Sequence, residues 1–258
     1  MKTLTAIAAL ATVLIVVPDM ADAQVGRAKA RVARPNAAGG VTAGSAAAVR
    51  GAQGAAIRGA GGVTDGQGNA ALGRGNCAAG ASRAGCSGSG TIIGADGTVN
   101  RNFGQAAMGE NGSFTRQGGL TANPDGSLSR QSATVADGAD GGLDRQSGLT
   151  RNADGSLSRH GSTVAEGANG SLNSSGRFDR NADGSYSGER ATSAQGKNGS
   201  YEGNAAVDST NGFTRSSRAT NEAGSVAVEV KRKRGEGQSR QVTCTNAAGE
   251  TVACPTPN

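Results

Sequence analysis

GLTANPDGSLSRQSATVADGADGGLDRQS, residues 119–147, is followed without a gap by GLTRNADGSLSRHGSTVAEGANGSLNSSG, residues 148–176. The frame extends in both directions. GTIIGADGTVNRNFGQAAMGENGSFTRQG begins at Gly90, RFDRNADGSYSGERATSAQGKNGSYEGNA begins at Arg177, and a shortened fifth copy runs from Ala206. In that last copy Asn211-Gly212-Phe213 and Gly224-Ser225-Val226 hold the corresponding places. Tandem units of this size mark a repeat architecture, in which each unit packs on its neighbours.

Each copy carries two Asp-Gly or Asn-Gly steps, each followed almost at once by a large apolar residue. Asp125-Gly126, Asp140-Gly141, Asp154-Gly155 and Asn169-Gly170 are examples. Such dipeptides suit the type I′ turns of β-hairpins, because Gly and Asn tolerate positive φ. Their spacing predicts flanking strands of about six residues, the usual length. Stacking the copies aligns Val99, Leu128, Leu157 and Tyr186 after the first turn, and Phe114, Leu143, Leu172 and Tyr201 after the second. Arg101, Arg130 and Arg159 stand two residues beyond the first column, Arg116 and Arg145 two beyond the second. Period-two geometry puts each arginine on its apolar neighbour's strand face, where its stem covers that neighbour. Ser129, Ser158 and Ser187 fall on the opposite face. The expected fold is therefore an all-β repeat, either an antiparallel meander or a β-solenoid of 29-residue units. Abundant Gly and the lack of any apolar stripe at helical spacing exclude a helical array.

Composition limits what such a sheet can bury. Aromatic residues are 2% of the chain, Trp is absent and Gly occupies 44 of 258 positions. Large side chains, worth about 1.5–3 kcal/mol each when buried, are scarce, so no conventional core is expected.

Outside the repeats three further segments are distinguished. Residues 1–23 read as a signal peptide: Lys2, an apolar stretch from Ala6 to Val17, Pro18, then Ala21-Asp22-Ala23 before Gln24. The apolar stretch is shorter than the roughly 18 residues a bilayer span needs, and no later run reaches that length. Residues 24–89 are rich in Gly, Ala and Arg and contain Cys77 and Cys86; they are expected to form a disordered basic arm, burying too little to offset ordering entropy. The repeats are assigned to residues 90–230. Residues 231–258 hold the cluster Lys231-Arg232-Lys233-Arg234 and a tail with Cys244 and Cys254. Two close cysteine pairs in an exported chain predict the disulfides Cys77–Cys86 and Cys244–Cys254. Zinc is disfavoured by their wide spacing and by the lack of nearby His.

Removing residues 1–23 raises the formal charge of +6 by one. Arg27, Lys29, Arg31 and Arg34, with the cluster Lys231 to Arg234, are the candidate contacts for an anionic polymer or envelope surface; for the cluster, solvated charge at the edge of a terminal strand is the plainer account. Stacking aromatics are missing from the arm, which argues against sequence-specific nucleic-acid recognition. Asp179, Asn181 and Asp183 before Gly184 open like a calcium loop, but Arg190 occupies the twelfth position where that loop places Glu, so these residues are assigned to turns. The single histidine, His160, aligns with Gln131 and Glu189 of neighbouring copies and has no partner that would make it a general base. No catalytic, cofactor or metal site is assigned. The expectation is a non-catalytic structural or adhesive protein of a bacterial envelope or surface, secreted to the periplasm or cell exterior. A self-assembling fibre subunit is the alternative, and a calcium-dependent binding module a weaker one.

Overall fold

A computed structural model describes residues 26–233 and 235–254. The chain forms β1 (Gly26–Pro35), β2 (Val41–Gly51), β3 (Gly54–Thr64), β4 (Ala70–Ala79) and β5 (Arg83–Ile93), then enters the repeats. These supply β6 (Val99–Gly109), β7 (Gly112–Ala122), β8 (Leu128–Gly138), β9 (Gly141–Arg151), β10 (Leu157–Gly167), β11 (Gly170–Arg180), β12 (Tyr186–Gly196) and β13 (Gly199–Asp208). The sheet ends with β14 (Gly212–Asn221), β15 (Gly224–Lys233), β16 (Gly237–Asn246) and the two-residue β17 (Thr251–Val252). Every strand pairs antiparallel with the one before it and the one after it, so the 17 strands make one open meander. The solenoid option is thereby removed.

The sheet is a single layer. It exposes 18792 Å², whereas a compact protein of this mass exposes about 10,000 Å². Cys244 is the one buried apolar side chain among the described residues. Cohesion comes from the backbone ladder and from contacts within each face. Large side chains lie across glycines on the adjacent strand: Phe103 over its partner Gly118, Leu72 over Gly62 and Phe178 over Gly188. A ring laid over a bare backbone replaces part of the missing second layer and fixes register.

Strand length and turn type differ from the sequence expectation. The repeat strands run ten or eleven residues, not six. Each turn signal opens one long strand, so a 29-residue unit is one hairpin plus its two turns. Type I′ turns are absent among the described residues, since only glycines have positive φ and that turn needs two consecutive positions there. One end of the sheet instead carries five-residue loops. In Asn123–Ser127 the Gly126 amide donates to the Asn123 carbonyl at 3.0 Å, and the Asn123 amide donates to the Ser127 carbonyl at 2.9 Å. Gly126 then sits at φ +83°, the pattern of a turn closed by a glycine bulge. The other end carries two-residue turns such as Glu110–Asn111.

The segment expected to be a disordered arm instead supplies β1 to β4 of the same sheet. Pairing uses backbone N–H and C=O groups, which Gly and Ala carry as fully as any residue. Asn36 and Asp65 close loops of the same kind as the repeats do: the Ala38 and Gly40 amides donate to Asn36 Oδ1, and the Gln67 and Asn69 amides donate to Asp65 Oδ1. The boundaries drawn at residues 90 and 231 fall inside β5 and β15. The signal-peptide residues 1–23 lie outside the described residues.

Candidate functional site

Cross-strand register sorts the side chains into two faces. Arg101 pairs with Leu120, Leu120 with Arg130, Arg130 with Leu149, and Leu149 with Arg159. Partners directly opposite share a face, so arginine and leucine alternate along a row perpendicular to the strands. Ser129, Ser158 and Asp179 occupy a row of the other face. We refer to these as the arginine face and the serine face. The leucine-and-arginine surface read from the sequence is thus continuous across copies.

The sequence-predicted basic residues are not brought together. Arg27, Lys29 and Arg31 project on the arginine face of β1, Arg34 projects on the serine face, and β1 is the outermost strand. The C-terminal cluster belongs to β15, far along the strand order, and is itself divided. Arg232 joins the arginine face through its pairing with Phe213, while Lys231 and Lys233 point the other way. Lys231 Nζ stands 3.8 Å from a Glu229 carboxylate oxygen, and Lys233 Nζ stands 2.6 Å from one of Glu236. Arg234 lies outside the described residues. Both predicted disulfides are formed, Cys77–Cys86 across β4 and β5, and Cys244–Cys254 between β16 and the tail after β17.

His160 lies on the serine face with its ring against the Cα of Gly148, where an added Cβ would meet Cε1 at 2.3 Å. Its neighbour on the far side is Arg177, a cation, so no carboxylate orients the ring from that strand. The calcium-like residues do not converge. Asp179 is held by Arg177 through an ion pair, and Asp183 Oδ1 accepts the Ser185 amide at 2.8 Å. Asn181 donates through its side-chain amide to Ser185 Oγ at 2.9 Å. These groups serve the turn. Among the described residues no three acidic, histidine or cysteine side chains cluster as a metal site.

The loop aspartates form one electrostatic class. Ser127, Ser156 and Ser185 donate to Asp125, Asp154 and Asp183, each through its side chain and its backbone amide, and hold these carboxyls below the ordinary aspartate value. At Asp96 the Thr98 amide leads and has the same effect. Charged acceptors paired with backbone N–H groups make strong hydrogen bonds.

Two shallow, open troughs cross the strands. One, about 780 Å³, lies on the arginine face over β1 to β6 and is lined by Arg31, Arg74 and Arg101 above Gly62, Ala43 and Ser45. The other, about 830 Å³, lies on the serine face, where His160, Arg177, Glu189, Glu229 and Lys231 mix both signs of charge. Neither pairs a nucleophile with an oriented base. Among the described residues no helix is long and apolar enough to cross a membrane.

What the sequence left unread is the continuity of the arginine face. Period two within a strand places Leu128 and Arg130 together, but only register shows that Arg130 stands between leucines of the two flanking strands. Comparison with known families, curated proteins and solved structures finds no match to this chain.

Proposed function

We propose that this chain is an exported structural or adhesive repeat protein of a bacterial envelope or surface, without catalytic activity. The observation that carries the reading is the single-layer sheet, whose two broad faces are both open to partners. A scaffold of this kind presents area rather than a chemical centre. Two disulfides support an oxidising compartment, and the sequence of residues 1–23 supports export to it.

A discrete particle is favoured over the fibre alternative by the edges. A long unpaired edge strand invites edge-to-edge association, and charge, proline and shortening oppose it. Here β1 carries Arg27, Lys29, Arg31 and Arg34 and ends at Pro35. At the other end the two-residue β17 and the Cys244–Cys254 bridge cover one end of β16, and Arg240 places a charge on the rest of that edge.

The test is expression of the whole chain in a bacterial host, with protease accessibility and fractionation, alongside a chain lacking residues 1–23. The expected result is a chain shortened at the N-terminus, oxidised at both cysteine pairs and found beyond the inner membrane. Full-length, reduced protein in the cytosol would overturn the reading. Light scattering of the purified protein over several days separates the two forms: a lasting monomer supports the discrete particle, and growth into β-rich fibres selects the alternative.

A further inference from the structure

The charges of the strands are segregated by face to a degree that the repeat alone does not require. Every strand carboxylate, from Asp137 on β8 to Glu229 on β15, stands on the serine face or its register equivalents. On the arginine face the strands carry no aspartate or glutamate. The ion pairs among the described residues tell the same story: Arg177–Asp179, Lys231–Glu229 and Lys233–Glu236 involve the serine face or a turn. Among the described residues, no cation of the arginine face is in an ion pair, and those with partners meet neutral groups. Arg74 donates to Ser89 Oγ, Arg190 to Ser174 Oγ, and Arg151 to the Gly126 carbonyl, while Arg116 lies over the Phe103 ring.

Their spacing is regular. Arg101, Arg130 and Arg159 sit on β6, β8 and β10 in one row. Arg190, Arg215 and Arg240 continue on β12, β14 and β16 in the next row, through Ala205 and Val230. All six side chains are exposed. One arginine therefore recurs on every second strand, at about 10 Å intervals over about 50 Å. Between them the intervening strands present Leu120, Leu149 and Val230.

We infer that this arginine ladder is a polyvalent binding surface for an extended acidic polysaccharide of the polyuronate class, the inference resting on the reading of this chain as one that works outside the cytoplasm. A guanidinium matches a carboxylate in a two-point fork. The apolar side chains between successive arginines offer flat contact to the C–H faces of sugar rings. Sparse charge is the discriminating feature. Double-stranded DNA presents a charge about every 1.7 Å of axis, far denser than the ladder. The aromatics of the chain, Phe103, Phe114, Phe178, Tyr186, Tyr201 and Phe213, all stand on this face, where they offer sugar rings further flat contact; single-stranded DNA, which stacks on such side chains, is the competitor that the experiment separates. Farther along the strands the same face carries an apolar row without arginine, through Phe114, Leu143, Leu172, Tyr201 and Val226, so an anionic lipid surface is the other competitor that the experiment separates. Each exposed pair is weak, so binding comes from many pairs engaged at once.

The experiment measures binding of the full mature chain to immobilised polygalacturonate, with its methyl ester as the uncharged form of the same backbone. Binding is expected to the acid and not to the ester, and to fall steeply when the polymer is cut to a length that spans a single arginine pair. R130Q/R159Q/R190Q/R215Q should lose about tenfold or more in apparent affinity, and the corresponding lysine variant should recover part of it. K231Q/K233Q, on the serine face, should bind as the natural chain does. Footprinting of the unmodified protein with an arginine-selective dicarbonyl requires no variant to fold: Arg130, Arg159, Arg190 and Arg215 should be protected by the polymer, and Arg177 and Arg218 should not. Equal protection of both faces, equal binding of the ester, or tighter binding to duplex DNA, to single-stranded DNA or to anionic phospholipid vesicles would overturn the inference. Export and binding are read separately, so a cytosolic chain that holds polygalacturonate, or an exported one that does not, shows which reading has failed.

Discussion

The strands β2 to β4 and the strands β8 to β11 share nearly the same length and the same antiparallel ladder, yet almost nothing else. On the arginine face β8 and β10 open on Leu128 and Leu157 with Arg130 and Arg159 two residues inward, and β9 carries Leu143, Arg145 and Leu149. The strands of the N-terminal segment carry glycines where their neighbours carry side chains: Gly44, Gly61, Gly73 and Gly90 succeed one another across β2 to β5. The difference teaches that the two regions are held by different means. Side-chain rows support the repeats, whereas the glycine region relies on pairing from both sides and on the Cys77–Cys86 bridge.

Opening that bridge is the largest expected effect. Cys77 and Cys86 face each other in the ladder of β4 and β5, and a loop of this size contributes about 3 kcal/mol by restricting the unfolded chain. In a Cys77→Ala/Cys86→Ala chain, hydrogen exchange should accelerate in β3 to β5 and stay unchanged in β8 to β11. An equal loss of protection in both regions would mean that the sheet opens as one cooperative unit and that the contrast has no energetic content.

Alanine in place of glycine should have opposite signs in the two regions. Gly141 opens β9 at φ +141°, and an added Cβ would lie 2.0 Å from the Glu166 carbonyl oxygen. Gly141→Ala should therefore cost about 2 kcal/mol or more, since strained backbone alone accounts for about 1–3 kcal/mol. Gly73 lies mid-strand with no atom closer than the Ser89 carbonyl at 3.8 Å. Gly73→Ala should stabilise by about 0.5–1 kcal/mol through the unfolded state. Denaturant midpoints of the two variants decide this, and a destabilising Gly73→Ala would show that the glycine rows are needed for close approach rather than tolerated.

These two glycines also show what the sequence could disclose. Gly141 follows Asp140 in a repeated turn signal, and its place at a hairpin was legible before any coordinates. The two-residue turn that it closes was not, because Asp-Gly is equally at home in several hairpins and the choice depends on strand twist and pairing. Gly73 was misjudged for a different reason. A Gly/Ala segment lacks the burial that would order it alone, and the ladder partners that order it are themselves Gly/Ala strands. The alternation of Leu128 and Arg130 was readable within one strand. Cross-strand neighbours such as Leu120 and Leu149, on which the ladder proposal depends, follow from register, and register here is fixed by turn geometry rather than by a buried core.

Acid supplies the smallest and most local contrast, between loops closed by aspartate, Asp65 of the glycine region among them, and a loop closed by asparagine. The loops Asn123–Ser127, Asn152–Ser156 and Asn181–Ser185 depend on the ionised Asp125, Asp154 and Asp183, whose carboxyls accept serine amides at 2.8 Å and are held below the ordinary aspartate value. A folded-state value below the unfolded one means that ionisation favours the folded loop. That contribution is present above the ordinary aspartate range and is lost as pH falls through the folded-state value. The β1–β2 loop is built on a neutral acceptor instead, Asn36 Oδ1 for the Ala38 and Gly40 amides. Amide exchange followed from neutral pH into strong acid should therefore rise at Ser127, Ser156 and Ser185 below the ordinary aspartate range while Ala38 keeps its protection. Asp154→Asn should flatten the response of Ser156 alone, because an asparagine oxygen accepts the same hydrogen bond without titrating. A shared midpoint at the aspartate and asparagine loops would assign the acid response to the sheet as a whole, through the mutual repulsion of its arginines once the carboxylates are neutralised.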